Sequence, residues 1–415
     1  MPLHSQAGNP SQRPKQGEIR MKPLNLMKVA ACAIAALAFA PVAQAQAQAQ
    51  GITDTEIVIG THLDLSGPIN FWGLPVKNGM EMAVDEVNAG GGIHGRKLRL
   101  VIEDMGYDPK KAVLATQKLL TRDRIFAMVG SMGTVTSAAT MPMVLERGLP
   151  HLFPITPAEM FALPFNRLKF ALFAPYYDDI RTNLKYLLAN RGYKRVGVMY
   201  QDDEFGANIL KAAQDQLAAS GLAPVSVTSF KRGATDFSSQ IARMKSDGAE
   251  LVVMGTVVRE TVGAMTAARN LNWNPDFLVS QAGYAPVVAA LGKDFVEGLY
   301  AGAMTPIPYV DTASPKVLEW MQRYKAKFNQ DANVESVVGY NVIMTAVMGM
   351  NNAGRDLNID TLIAGLERIR DHRNIFGTAP ISFSRDNHLA TRRTFVAQIR
   401  KGRWVALTDF MHYAE

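Results

Sequence analysis

Apolar and polar positions divide the chain into short strands and longer helices that follow one another regularly. A β-branched strand at residues 57–59 precedes apolar positions that recur at each helical turn between residues 76 and 87. Three glycines at 90–92 end this helix, and residues 97–103 alternate as a second strand. A strand, a crossover helix and a strand of this length predict one βαβ unit of a parallel sheet.

Units of the same kind repeat in two series along the rest of the chain. Strands and helices alternate from residue 109 to 173 and again from 178 to 280. Three helices follow between residues 314 and 370, and antiparallel strand material ends the chain. The alternation predicts an α/β fold with two doubly wound parallel sheets. Since no low-complexity linker separates the halves, we expect a hinge between them. Ligands of such sheets bind beyond the carboxyl ends of the strands, which predicts a site at the loop 66–73.

The first 45 residues are typical of a leader. Basic residues after Met21 precede an apolar run at 29–41 and small residues with an A-x-A-type pattern, which predicts a secretory signal cleaved after Ala45 or Ala47. Translation starts at Met1 or Met21. A membrane anchor and lipoprotein processing at Cys32 are the alternatives. We expect an exported, periplasmic protein that is not embedded in the membrane.

Composition excludes several classes of function. The one cysteine, Cys32, lies in the leader, so the exported chain has no disulfide or thiolate metal site, and the seven histidines are scattered. The formal charge of +7 falls to +3 without residues 1–45, which carry five basic residues and one acidic residue. Nucleic-acid binding therefore has no support.

No catalytic or cofactor motif emerges from the remaining residues. The glycines at 90–95 match GxGxxG, but they follow a helix and precede a strand, which is the reverse of the dinucleotide-binding order. The pair Asp202–Asp203 is typical of helix caps. The sequence predicts no enzyme, no cofactor and no metal site. By contrast, the hydroxyl-rich loop 131–137 before a helix suits a carboxylate, and Trp72 fits either a core or a ligand-facing position.

Several motifs together resemble a known family. DLSGP at 64–68 with Trp72–Gly73, the stretch NAGGGIHGRKL and EDMGYDPKKAV are followed by VGSMGTVTSAA, VGVMYQDDEFG and ATDFSSQIARMKSDGAELVVMG. The combination is similar to periplasmic binding proteins of branched-chain amino acid ABC transporters, from about residue 51 to 404.

The resemblance implies a type I periplasmic-binding-protein fold with two lobes joined by a three-strand hinge. The first lobe would comprise residues 51–172 and 304–392, and the second 173–303 and 393–415. The lobes would close over a small ligand, and the protein, a monomer that catalyses nothing, would deliver it to the membrane permease of an ABC transporter.

The resemblance also implies a set of ligand-binding residues. A ligand carboxylate would meet the backbone of Met132 and the neighbouring Thr134, Ile155 and Thr156. Trp72 would pack on the ligand from the first lobe. Residues of the second lobe would close over it, and these are Phe205, Val257 and Val258.

The chain departs from the family pattern at two places, and the first of them concerns the expected ligand. Where amino-acid binders hold the ammonium with acidic residues, this chain has Tyr177 and Gln281. A buried ammonium without an anion costs roughly several kcal/mol, so we expect an aromatic or otherwise apolar organic acid, with Tyr284 also beside it. The positions of the family disulfide hold Tyr107 and Gly133.

Three alternatives remain at this stage. A shift in the alignment would let Asp178, Glu204 or Glu260 supply the anion, and the ligand would then be a branched-chain or other apolar amino acid. A sensor of the same fold would pass the binding signal to a protein partner. An exported enzyme would need a catalytic constellation.

Overall fold

The computed structural model describes residues 49–415, which form one compact unit containing two β-sheets. The predicted secretory signal lies outside the described residues. Within residues 49–415, no helix has both the length and the apolar character that a membrane span requires. The predicted α/β architecture with two sheets dominated by parallel strands is confirmed.

The first sheet consists of five parallel strands in the order β2–β1–β3–β4–β5. Its strands are β1 (Glu56–Leu63), β2 (Lys97–Asp104), β3 (Ala127–Val129), β4 (His151–Leu152) and β5 (Lys169–Phe170). Glu56 pairs with Lys97 and Leu63 with Asp104, so β1 and β2 run in register over their full length. The apolar side chains of β1 are buried because helices cover both faces of the sheet.

Three helices connect these strands: α1 (Asn70–Ala89), α2 (Pro109–Thr121) and α3 (Thr134–Glu146). The sequence predicted a loop through residue 73, but α1 already begins at Asn70. The Asp64 carboxylate accepts hydrogen bonds from the backbone N–H groups of Gly67 and Ile69, the latter at 2.7 Å, and this closes the turn early. Trp72 therefore lies in the first turn of a helix.

The start of α3 also differs from the prediction. A helix was expected from residue 138, but the structure begins it at Thr134. Gly133 precedes it with φ of 85°, a backbone conformation that glycine adopts without a steric penalty. The residues 134–137 of the hydroxyl-rich segment thus form the first turn of the helix, whose first N–H groups have no partner within the helix.

The second sheet has seven strands in the order β12–β11–β10–β9–β8–β6–β7. These are β6 (Val196–Gln201), β7 (Ser226–Phe230), β8 (Leu251–Gly255), β9 (Asp276–Val279), β10 (Tyr300–Ala303), β11 (Phe395–Arg400) and β12 (Arg403–Ala406). The pairs β10–β11 and β11–β12 are antiparallel and the others are parallel. The last two strands add to the sheet after a long excursion of the chain.

The remaining helices divide between the two sheets. Those that belong with the second sheet are α4 (Tyr176–Arg191), α5 (Glu204–Ala219), α6 (Ser238–Ser246), α7 (Val258–Asn270) and α8 (Pro286–Gly292). The excursion after β10 contains α9 (Pro315–Phe328), α10 (Val334–Ala353) and α11 (Ile359–Leu366). Helix α10 packs against α1 and shares the core of the first sheet. The chain therefore passes between the sheets three times, while the residues at which the lobes divide stay a prediction.

Candidate functional site

A cavity of about 780 Å³ lies where the carboxyl ends of strands from both sheets meet. Most of its wall comes from segments that directly follow strands, such as Met132 after β3, Ile155 after β4 and Val257 after β8. Helix α10 closes one side with Val334 and Val338. The position agrees with the general rule for ligands of parallel sheets.

The structure brings eight of the eleven sequence-predicted residues together around this cavity. They are Trp72, Met132, Thr134, Ile155, Phe205, Val257, Gln281 and Tyr284. Their role in ligand binding stays a prediction.

The other three predicted residues do not line the cavity. The Tyr177 hydroxyl turns away and donates to the Asp215 carboxylate at 2.7 Å, because Tyr177 follows Tyr176 on α4 and points to a different side of the helix. Tyr176 lines the cavity in its place. Val258 is buried in the core of the second sheet, and Thr156 stands behind the wall.

Thr134 is a polar residue in the otherwise largely apolar wall of the cavity. As the first residue of α3, it lies at the positive end of a thirteen-residue helix. Its hydroxyl is 2.6 Å from the hydroxyl of Thr156, so Thr156 supports Thr134 without facing the cavity itself. Free N–H groups and an oriented hydroxyl at a helix N-terminus can bind a carboxylate.

A buried network of neutral groups holds the segment before Thr134. Ser137 donates to Ser131 at 3.0 Å, and the Ser131 hydroxyl is 3.0 Å from Nε2 of His151. Burial lowers the pKa of His151 to about 3 and that of His62 to about 4, so both imidazoles are neutral at pH 7. The network positions the loop without adding charge next to the cavity.

Tyr107 and Gly133, which replace the family disulfide, are in contact. A methyl group placed on Gly133 would lie 2.7 Å from Cε2 of the Tyr107 ring. The ring thus occupies the space beside Gly133 and is itself 7% exposed, facing the cavity. Packing of an aromatic ring against a glycine links β2 to α3 where the family pattern has a covalent bond.

Gln281 occupies the second position where the family pattern has an acidic residue. Its side-chain amide donates to the carbonyl of Ala174 at 2.8 Å, and its backbone N–H donates to Asp179 at 3.0 Å. Asp179 is fully buried and points away from the cavity toward Asn183 and Gly302. Burial raises the pKa of Asp179 to about 7. Gln281 lines the cavity and Asp179 does not, so the polar group at this position of the wall is a neutral amide.

The cavity wall is neutral throughout. Among the nineteen lining residues, all within the described part of the chain, there is no Asp, Glu, Lys, Arg or His. The three acidic residues that an alignment shift might have placed here lie elsewhere. Asp178 pairs with Arg392 at 2.7 Å, and Glu204 is exposed in a separate pocket that Val135 and Lys231 also line. Glu260 is buried outside the lining, and desolvation raises its pKa.

Sequence reasoning missed several lining residues. Ile69, Phe173, Met304, Thr305 and the α10 pair Val334 and Val338 line the cavity, together with Tyr107 and Tyr176. Phe173 and Met304 lie at strand ends, and this position was the signal that could have identified them. No local pattern marks the contribution of α10, since it depends on how that helix packs back on the first sheet.

The molecule has two sheets, with a cavity at the carboxyl ends of their strands whose wall is neutral and largely apolar. This arrangement is typical of a two-lobed protein that binds a small molecule. Comparison with known proteins agrees with this class, because residues 56–403 match the model of the family described as periplasmic binding protein. The chain belongs to this family. It is a solute-binding protein and not an enzyme.

Individual relatives are distant but cover most of the chain. Leu/Ile/Val-binding protein homolog 8 of Brucella abortus (strain 2308) is 24% identical over 336 residues, which are 76% of this chain and 80% of the relative. This similarity and the family match confirm the resemblance to branched-chain amino acid binding proteins.

Solved structures share the fold at similarly low identity. A fatty acid ABC transporter substrate-binding protein from Thermomonospora curvata has a TM-score of 0.79 at 21% identity, covering 88% of this chain and 94% of that structure. A branched-chain amino acid ABC transporter protein from Thermus thermophilus with bound valine has a TM-score of 0.78 at 18% identity, covering 86% and 97%. These likenesses establish the fold alone.

Proposed function

We propose that this protein is an extracytoplasmic solute-binding protein that captures a small organic acid, preferably aromatic or apolar, between its lobes. It then delivers the ligand to the membrane permease of an ABC transporter. The family is periplasmic, which agrees with the export signal expected from the sequence. The lobes at 51–172 with 304–392 and at 173–303 with 393–415 would close on the ligand by a hinge motion.

The neutral cavity wall is the observation that carries the proposal. An α-amino acid brings an ammonium group into the cleft, and its burial without an anionic partner costs roughly several kcal/mol. Since about 1.4 kcal/mol corresponds to a tenfold change in affinity, part of this cost already removes useful binding of leucine. A carboxylate, in contrast, has Thr134 and the α3 N-terminus to receive it.

Aromatic side chains support the preference for an apolar or aromatic body. Six of the nineteen lining residues are aromatic: Trp72, Tyr107, Phe173, Tyr176, Phe205 and Tyr284. Burial raises the pKa of Tyr107, Tyr176 and Tyr284 well above 10, so their phenols stay neutral donors at pH 7. Aromatic faces favour stacking or edge contacts with a ring of the ligand.

Binding of a branched-chain amino acid is the second candidate, because a branched-chain amino acid transporter substrate-binding protein of the same fold from Streptococcus pneumoniae has been solved in complex with isoleucine. The Thermus structure contains valine, whereas the Thermomonospora protein is described as a fatty acid ABC transporter substrate-binding protein, so proteins of this fold differ in ligand. A sensor of the same fold is distinguished by its target, since it would bind a signalling partner instead of a permease.

Calorimetric titration of the ligand-stripped protein tests the proposal. Leucine, isoleucine and valine form one set of ligands, and benzoate and 3-phenylpropanoate form the other. We expect heat of binding from the aromatic acids and none from the amino acids. Tight binding of leucine would refute the organic-acid preference and leave the family assignment intact.

A pair of variants connects the binding to the cavity. Thr134→Val removes the hydroxyl at the α3 N-terminus and should weaken binding of the acid about tenfold, since a hydrogen bond to a charged group contributes about 1.5–3 kcal/mol. Thr121→Val, at the exposed end of α2, is the matched control and should bind normally. Equal affinities of the two variants would place the carboxylate elsewhere.

A further inference from the structure

A second cavity of about 1300 Å³ lies beside the cleft, between α10 and the segment 372–381. We propose that it is a subsite for the distal part of an elongated organic acid whose carboxylate head lies in the cleft, and that this distal part ends in a second anionic group. The inference rests on the proposed function, because it extends the ligand of that same site.

The two cavities share walls. Phe173, Met304, Thr305 and Val338 line both of them, so the two cavities adjoin each other. Helix α10 lines the second cavity from Val338 to Asn352, which is about 21 Å at 1.5 Å per residue. A ligand that leaves the cleft past Met304 therefore has a continuous wall to follow, and the flexible Met304 side chain can move aside for it.

The side chains along this wall suit an apolar chain or ring system. Met344 and Met348 lie one helical turn apart and are half-buried, whereas Ile343 and Ala346 on the other side of α10 are fully buried in the core. Phe376 and Ile381 form apolar parts of the opposite wall. Methionine side chains adapt to ligands of different shape. Because Met344 and Met348 face an open cavity, they can change conformation without disturbing the core.

The charge in the second cavity differs from that in the cleft. Its titratable lining residues are Tyr340, His372 and Arg373, and among residues 49–415 no Asp or Glu contributes to its wall. Burial raises the pKa of Tyr340, so its phenol is neutral at pH 7. Arg373 is exposed and forms no hydrogen bond or ion pair with the described residues. Burial lowers the pKa of His372, which leaves Arg373 as the cation at neutral pH. A guanidinium without a partner at the rim of an apolar cavity suits a carboxylate.

Titration with acids of different length and charge tests the inference. Phenylacetate reports on the cleft alone, decanoate adds an apolar chain, and decanedioate adds a second carboxylate. We expect decanedioate to bind more tightly than decanoate by about tenfold, which corresponds to about 1.4 kcal/mol. Arg373→Gln should remove this advantage and leave the affinity for decanoate within about twofold. Arg385→Gln, in the exposed turn near residue 386, is the matched control and should retain it.

A second variant tests the apolar wall. Met344→Trp fills the cavity and should weaken both long acids about tenfold while phenylacetate keeps its affinity. Leu114→Trp, at a 64% exposed position of α2, is the control for the added indole. Thermal melting by circular dichroism verifies folding, and Met348→Trp replaces Met344→Trp if the latter does not fold.

The outcomes separate this inference from the proposed function. One outcome is that phenylacetate binds, while the length of the acid, its second carboxylate and the variants Arg373→Gln and Met344→Trp leave the affinity unchanged. The second cavity is then not a subsite, and the proposed function stands. If no organic acid binds at all, the proposed function fails and the subsite fails with it. Equal loss of phenylacetate and decanedioate in Met344→Trp would also overturn the subsite, because the effect would then lie in the cleft.

Discussion

The crossing of α1 and α10 determines the shape of one side of the cleft, and substitution of its glycines tests this. A methyl group at Gly79 would lie 2.0 Å from the carbonyl oxygen of Ser336, and one at Gly339 would lie 2.1 Å from that of Val76. Both neighbours are backbone atoms, so no side-chain rotation can relieve the contact. Ordinary contact begins at 3.4 Å, and Gly79→Ala therefore forces the two helices apart by about 1.4 Å.

The magnitude follows from two opposing effects. Overpacking of a well-packed core costs about 1–3 kcal/mol, and the separation of α1 from α10 belongs at the upper part of this range. Replacing glycine by alanine inside a helix returns about 1 kcal/mol. We expect Gly79→Ala and Gly339→Ala each to lower the free energy of unfolding by about 1–2 kcal/mol. The double variant should lose less than the sum, because one separation relieves both contacts.

Urea unfolding followed by circular dichroism measures these changes. Gly90→Ala, at the end of α1, is the matched control, because φ there is −77° and a methyl group would lie no closer than 3.4 Å to its neighbours. Its free energy of unfolding should not fall. Two results would refute the reasoning: Gly79→Ala as stable as the parent protein, or strictly additive losses in the double variant. Ligand affinity should fall with stability, since α1 carries Trp72 and α10 carries Val338.

Three further predictions concern charge. Gln281→Glu places an anion in the cavity wall and should raise the affinity for leucine about tenfold or more by calorimetry; no gain would show that the amide does not face the ligand. Burial raises the pKa of Glu335 from 4.5 to about 8, so the folded protein keeps a proton that the unfolded chain loses, and the free energy of unfolding should fall as pH rises from 4.5 to 8. Glu335→Gln should reduce this fall in urea unfolding at several pH values, and an unchanged slope would contradict the pKa. Arg392→Gln leaves the fully buried Asp178 with only the His412 side chain at 3.5 Å, and it should cost about 1–2 kcal/mol because the 42% exposed Arg392 is partly screened. Arg385→Gln is the control, and equal stability of the two variants would show that the pair contributes little.

The sequence located the strands and helices well where their periodicity was long. Helix α10 is found at the predicted 334–353, and α2 at 109–121. The beginnings of α1 and α3 were missed because capping contacts decide them. Asp64 closes the turn before α1, and Gly133 provides the positive φ before α3. Such contacts join residues whose hydrophobic pattern carries no signal.

The sequence alignment predicted Tyr177 in the cleft, which is wrong by one residue. Tyr176 and Tyr177 are adjacent and identical in type, so composition and pattern do not distinguish them. On a helix, successive side chains point about 100° apart, and only one of the two can face the cavity. The structure places Tyr176 there and turns Tyr177 toward Asp215.

The sequence alone determined the family, the α/β class and most residues at the strand ends, because hydrophobic periodicity and turn chemistry act over short distances along the chain. Only the tertiary structure decided that the cleft wall is neutral and that a second cavity adjoins it. These properties depend on which side chains from distant segments meet, as when α10 returns to the first sheet after β10. Three acidic residues lie close in sequence to cleft residues, but none of them lines the cleft: Asp178 pairs with Arg392, Glu204 lies in a separate pocket, and Glu260 is buried outside the lining.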